Sequence, residues 1–382
     1  MRRGWLVLAT LLAVGSLAAS ASPSTGGTGE LRTRGYVTGI SADGFRVAAA
    51  TSNLAYSCDR IVVWNPVRKT ITTVDTRLNC PAERPLMPVL EVTIAGNRVA
   101  WLATESGNGF YLGLNTRVLG AKKTTDVVGS DVSVTLGGYP DGDWIGNIVG
   151  HGSVLVYDRW HVCTAWPATE TPFPEGCDQP ASGDRKYYVF SKQELLEAVG
   201  GKSVVIASAP DVETASYKYV GRLIPPRSLA VVSIDAGRIA TRDPSGEVTI
   251  YSAKGAVLEQ IAVPSGHFAG TALQGSQLVT LRDDNLEVYS VSSGALVKTI
   301  PLAAGSVLRD LQSGLAVYVV GRKVHVRRLS DGKDIAYSPP GKGSVYAQIE
   351  SSGLFYSYNF PGGRDHGRIA FVPYAKLLKK LG

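Results

Sequence analysis

The chain has 382 residues, 44% of them hydrophobic and 19% charged, with 43 Gly, 20 Pro and 4 Cys. That apolar content excludes an intrinsically disordered chain, and short Val/Ile/Tyr runs set between so many glycines exclude a helical bundle. A formal net charge of +7 over this length is too thin to argue for a nucleic-acid partner.

Residues 1–21 read as a secretory signal peptide. Arg2 and Arg3 form its basic start, Trp5 to Leu17 is apolar, and Ala19-Ser20-Ala21 is a small-residue cleavage site. The apolar stretch is shorter than the roughly 20 residues that span a bilayer, and no later segment is a candidate span. The expected location is secreted or extracytoplasmic. No Cys lies near the cut, which argues against a lipoprotein. Residues 22–29 are a small-residue linker, and 30–382 form one domain.

Within that domain a turn glycine followed by four to six apolar or β-prone residues recurs at Gly44, Gly96, Gly152, Gly237, Gly275, Gly314 and Gly353. The successive steps are 52, 56, 85, 38, 39 and 39. Each run is followed by another strand-like segment, such as Arg60–Trp64, Leu286–Val291 or Lys323–Arg327, and often by a further one, such as Thr70–Val74 or Leu296–Ile300. Several strands per unit at a period near 40 residues predict an all-β fold, a seven-bladed β-propeller with four-stranded antiparallel blades. Val99 to Ala103 and Leu315 to Val320 are apolar without alternation, as expected of strands buried on both faces.

The last unit stops after its third strand at Val372. The N-terminal segment Glu30–Arg34 is expected to supply the fourth, closing the ring and removing two exposed sheet edges. Trp160–Ala165 and the Pro-rich stretch after it interrupt the third unit. Ser191-x-x-Glu194 ahead of Leu195, Leu196 and Val199, with Gly200 as a stop, predicts a capped helix there. Pro373 to Leu381 predicts a short terminal helix, and its Lys376, Lys379 and Lys380 read as a solvated face.

The segment Leu286–Gly305 (LEVYSVSSGALVKTIPLAAG) resembles the strand-turn-strand core of secreted WD40-like, YVTN-like and quinoprotein-like propellers. Residues 61–74, 248–261 and 324–337 follow the same pattern, so the resemblance covers most of 36–373 at superfamily level. It implies the fold. The Trp-Asp dipeptide is replaced by Trp64-Asn65, and the tryptophan-docking repeat of the quinone enzymes is missing, so no cofactor is expected. Fold by itself does not assign function.

Four Cys in an exported chain predict two disulfides, with three possible connectivities. Cys58 begins the third strand of unit 1 and Cys80 follows its fourth; antiparallel neighbours bring those ends together. Cys163 and Cys177 share the insertion of unit 3. The expected pairs are therefore Cys58–Cys80 and Cys163–Cys177, with no metal role, because no C-x-x-C or clustered His accompanies them. Both pairs fall on the side of the disc that carries the second-to-third and fourth-to-first connections. Insertions at 104–109, 129–143, 160–185, 210–227 and 359–367 share that side, on units 7, 1, 2 and 3. Long loops on a rigid scaffold carry recognition.

No G-x-S-x-G elbow occurs and no catalytic residue is assigned. His151 sits in a Gly-His-Gly turn and reads as structural. Arg364-Asp365-His366 lies in a Gly-rich loop on the elaborated side, without a visible nucleophile. Asp141-Gly-Asp143, beside Tyr139 and Trp144, lacks the spaced ligands of a calcium loop. Trp160, His161 and Trp166 either stack on a ligand or pack their loop onto the disc. The reading is a monomeric, non-enzymatic propeller that binds a protein, peptide or glycan through its loop-rich face. The alternative is a hydrolase or lyase with acidic residues at the mouth of the central channel.

Overall fold

In the computed structural model the described residues are 29–52, 60–76, 89–106, 109–134, 140–165, 187–210, 212–214, 229–361 and 366–382. No helix among them is long and apolar enough to cross a membrane. In blades 1 to 6 the repeat glycines close tight turns between the first and second strands; in blade 7 the turn is Ser351-Ser352, and Gly353 instead begins the second strand. Gly44, Gly96, Gly152 and Gly275 lie at φ between 57° and 61°, and where the glycine comes second in the turn, Ala236 and Ser313 also take positive φ ahead of Gly237 and Gly314. Such two-residue turns match the twist of the strands they join.

Seven blades follow, their strands numbered from the axis outwards. The closing strand β1 spans Gly29–Thr33. Blade 1 is β2 (Tyr36–Asp43), β3 (Arg46–Ser52), β4 (Arg60–Asn65) and β5 (Thr70–Thr76). Blade 2 is β6 (Val89–Ala95), β7 (Arg98–Ser106), β8 (Gly109–Val118) and β9 (Thr125–Val134). Blade 3 is β10 (Pro140–His151), β11 (Val154–Ala165), β12 (Tyr187–Val199) and β13 (Lys202–Ala209), with β14 (Val212–Thr214) also on β12. Blade 4 is β15 (Ala230–Asp235), β16 (Arg238–Arg242), β17 (Val248–Ser252) and β18 (Val257–Ile261).

Blade 5 is β19 (Phe268–Gln274), β20 (Gln277–Arg282), β21 (Asn285–Ser290) and β22 (Leu296–Pro301). Blade 6 is β23 (Ser306–Gln312), β24 (Leu315–Val320), β25 (Lys323–Arg328) and β26 (Asp334–Tyr337). Blade 7 is β27 (Lys342–Glu350), β28 (Gly353–Asn359) and β29 (Gly367–Pro373), completed by β1. β1 pairs antiparallel with β29, Gly29 opposite Phe371 and Thr33 opposite Gly367, so the N-terminal segment closes the ring as expected.

The core is not one cluster but seven, one at each interface between neighbouring blades. Consecutive residues of a second strand serve opposite interfaces. Ala48 packs toward blade 2 and Ala49 toward blade 7; Trp101 packs toward blade 1 and Ala100 toward blade 3. Both faces of the strand are dry, and that is why its sequence loses the in/out alternation.

The inner strands are also stitched by side chains. Ser41 Oγ accepts the Ile94 amide of the next blade at 3.2 Å, Ser233 Oγ the Leu273 amide at 3.0 Å, and an Asp310 carboxylate oxygen the Ile349 amide at 2.9 Å. Gln348 does the same for Ala42 across the closure. A second tier lies two residues on, where Asp43 accepts from Gly96, Asp235 from Gly275 at 2.9 Å and Gln274 from Ser313 at 3.1 Å. Each bond gives a partner to an inner-strand or turn amide of the neighbouring blade.

Two predicted features differ. Residues 191–199, expected as a capped helix, lie in β12, paired with β11 and β13. Leu195 fills the interface with blade 4 and Leu196 the interface with blade 2, because consecutive strand residues point to opposite faces. Tertiary pairing overrides the local helix signal. Trp160–Ala165, expected as an interruption, instead continue β11. The predicted terminal helix forms as α1 (Tyr374–Leu381), with Leu377 and Leu381 buried against blades 6 and 7.

Candidate functional site

Blades 2 and 3 differ from the rest at the end of the disc opposite the glycine turns. β9 pairs with β10 at Val132 to Val134, so the outermost strand of one blade is joined to the innermost of the next in a single nine-stranded sheet. β10, β11 and β12 run 12, 12 and 13 residues, against five to seven in blades 4 and 5. Their extra length is on the loop side of the disc.

The register brings several predicted residues together there. Asp143 lies opposite His161, and Trp144 opposite Trp160. His161 Nδ1 is 2.9 Å from Asp143 Oδ1, with the carboxylate the more exposed partner. Arg159 pairs with Glu194 one strand over at 2.5 Å. Trp160 is only 3% exposed, and Trp144 is half-buried against the cluster between blades 2 and 3. Both indoles therefore serve packing, and the polar edge is left to Asp143 and His161.

His366 is buried and stacked on Tyr36, ring centroids 4.8 Å apart, joining blade 7 to blade 1. Asp141 lies on β10 opposite Ser133, and Cys163 on β11 opposite Val189. Tyr139, Trp166, Arg364, Asp365, Cys58, Cys80 and Cys177 lie outside the described residues, and with them both expected disulfides.

The other end of the channel holds a cluster that motif reading passed over. The first strand of each blade ends there, just before its first-to-second turn, at Asp43, Ala95, His151, Asp235, Gln274, Gln312 and Glu350 in blades 1 to 7. Three of these converge. Asp43, His151 and Glu350 each offer a ligand atom, all within 4.8 Å of one another. In blade 2 the position is taken by Ala95, whose methyl is buried in the cluster between blades 2 and 3. Glu350 is buried, and its acid is pushed up to about 9 by burial and by the neighbouring carboxylates Asp310 and Asp43. Burial likewise raises Asp310 to about 7, against the opposing effect of amides from Ile349 and Leu311. The one signal for this cluster in the sequence is positional: six of the seven residues before the turn are polar.

Beside the mouth a groove of about 1110 Å³ runs between the turns of blades 1, 2 and 3, its lining including Arg46, Arg68, Arg98, Asp43 and Glu197.

No family model matches the chain, and no curated protein matches it. Solved structures do. A chain of a mitotic checkpoint complex is 13% identical with a TM-score of 0.51, over 97% of this chain and 99% of its own. The Cps50 (Swd1) β-propeller domain of Myceliophteria thermophila is 10% identical with a TM-score of 0.48, over 90% and 98%. BamB from Moraxella catarrhalis is 10% identical with a TM-score of 0.43, over 88% and 83%. The chain is a seven-bladed β-propeller, and at such identity its likeness to these structures is one of fold alone.

Proposed function

We propose that this propeller is an exported, non-enzymatic binding scaffold that takes a protein, peptide or glycan on the loop side of blades 2 and 3. The observation that supports this most is the fused sheet, because it spends long, paired strands outside the disc where blades 4 to 6 have minimal turns. Paired strands are a stiffer platform than free loops, which lowers the ordering cost of binding. The Asp143–His161 pair gives that platform a hydrogen-bonding edge on a packed base of Trp144 and Trp160. The leader expected at 1–21 and the two disulfides expected of the four cysteines are consistent with an extracytoplasmic setting.

The test is binding of the purified chain to peptide and glycan arrays, with pull-down from the culture medium, against two variants. One replaces residues 166–186 by a short Gly-Ser bridge, and the other carries Asp143→Ala and His161→Ala. Loss of bound species in both supports the reading. Undiminished binding in both removes the case for this face. A second reading, a hydrolase or lyase acting at the channel, draws on the meeting of Asp43, His151 and Glu350. It predicts turnover of a model ester or glycoside that Glu350→Gln abolishes.

A further inference from the structure

The cluster at the turn-side mouth is separate from the proposed recognition face, being at the opposite end of the channel, and it invites a different chemistry. We propose that Asp43, His151 and Glu350 form a binding site for a first-row divalent cation such as Zn²⁺ or Mn²⁺, tying blades 1, 3 and 7 together across the channel.

The donor set is one imidazole nitrogen and two carboxylate oxygens, the mixture that suits these ions rather than Mg²⁺ or Ca²⁺, which prefer oxygen alone. The three ligand atoms already lie within 4.8 Å of one another. Metal bonds of about 2.1 Å place neighbouring donors about 3.3 Å apart, a contraction within reach of small side-chain rotations. Asp43 and His151 are half-buried and Glu350 is buried, so the site has a protected floor and an accessible side for water or a further ligand.

The comparison with blade 4 gives an independent argument. Asp235 occupies the same position there, and it has a countercharge: Arg238 lies 2.6 Å from its carboxylate. Among the described residues no Arg or Lys forms an ion pair with Asp43 or Glu350, although the two are close enough to repel each other. Blades 5 and 6 carry neutral Gln274 and Gln312 at this position. Arg46 stands opposite Asp43 in register, as Arg238 does to Asp235, but makes no ion pair with it. Two carboxylates without an ion-pair partner, facing an imidazole, are where a cation would do what Arg238 does in blade 4.

Holding the amides does not need both oxygens. Asp43 binds the Gly96 amide through Oδ2, and Glu350 takes the amides of Gly44 and Ser351. A glutamine at 350 can still accept those amides, which makes Glu350→Gln a variant that keeps the stitching.

The full chain, stripped with EDTA and dialysed, would be titrated with ZnCl₂ and MnCl₂ by calorimetry, with MgCl₂ as control, and melted with and without each metal. One equivalent is expected to bind and to raise the melting temperature, since a ligand that binds only the folded state stabilises it. His151→Gln and Glu350→Gln are expected to weaken binding roughly 100-fold, the upper end of what altered metal shells cost, with the metal-free melting temperature little changed. Should both variants fail to fold, spin-echo modulation from Mn²⁺ bound to the unaltered chain decides, because an imidazole nitrogen must appear in it. The proposal is overturned by the absence of one-to-one binding, by equal affinity in folded variants, which means an adventitious ion only, or by a Mn²⁺ signal with oxygen ligands alone.

Discussion

Blades 4, 5 and 6 repeat every 38 or 39 residues, whereas blades 2 and 3 are longer, irregular and merged. Yet both halves solve the same packing problem. Each interface is one apolar cluster fed by alternate residues of the two facing blades, and the cluster between blades 2 and 3 is as dry as that between blades 5 and 6. Elaboration has been added beyond the disc without loosening it. The difference teaches that stability in this molecule belongs to the interfaces, and variety belongs to what protrudes past them.

The largest test of that view concerns closure rather than either half. Deleting residues 29–35 removes β1, exposes β29 as an edge and takes Leu31 out of its cluster. The melting temperature should fall by roughly 10 °C or more, as a loss of several kcal/mol does in a chain of this size. Calorimetry checks it, and an unchanged transition would show that the ring holds without its strap.

Next come matched core truncations. Leu195 in blade 3 and Leu278 in blade 5 are both fully buried, at interfaces with blade 4. Leu195→Ala and Leu278→Ala should each cost about 2–5 kcal/mol in urea denaturation. A much smaller loss at Leu195 would mean that the merged blades are softer than the regular ones. Val204→Ala, on the 51% exposed face of β13, should change little.

A glycine pair separates the halves more finely. Gly96 and Gly275 share φ +57°, but a Cβ on Gly96 would meet the Gly152 carbonyl oxygen at 2.6 Å, while one on Gly275 meets nothing within 4 Å. Gly275→Ala should cost about 1–2 kcal/mol for its left-handed backbone. Gly96→Ala should cost about 1–3 kcal/mol more, because blades 2 and 3 approach closely at that turn. Equal losses in equilibrium unfolding would deny that closeness.

The smallest effect is on pH. Glu350 and Asp310 are raised above the ordinary carboxylate range, so the folded state holds protons that the unfolded state has already released. Stability must then fall as pH rises from about 5 toward 9. In EDTA the melting temperature should drop by a few degrees over that range, and Glu350→Gln should flatten the upper part of the drop. A rise instead would place these acids in a different environment.

Much of this architecture was legible in the residues. The glycines that mark the turns, the unalternating runs at 99–103 and 315–320 and the missing last strand at Val372 together led to seven blades and an N-terminal strap. Local signals misled where pairing outvoted them: Ser191-x-x-Glu194 caps no helix because Leu195 and Leu196 are each needed by a different interface. The Asp143–His161 contact was half visible, as two residues of interest in one region, without the register that sets them opposite. The Asp43–His151–Glu350 cluster was invisible, since its members are separated by 108 and 199 residues and belong to no motif.

By itself the chain's order of residues determined the count of blades, the position of most first-to-second turns and the need for a closing strand, because strand period and turn chemistry act over a few neighbours. Only the folded ring decided which strands merge, which carboxylates meet and which of those described lack an ion pair. Those depend on how far each inner strand reaches toward a common axis, and that distance is set by all seven interfaces at once.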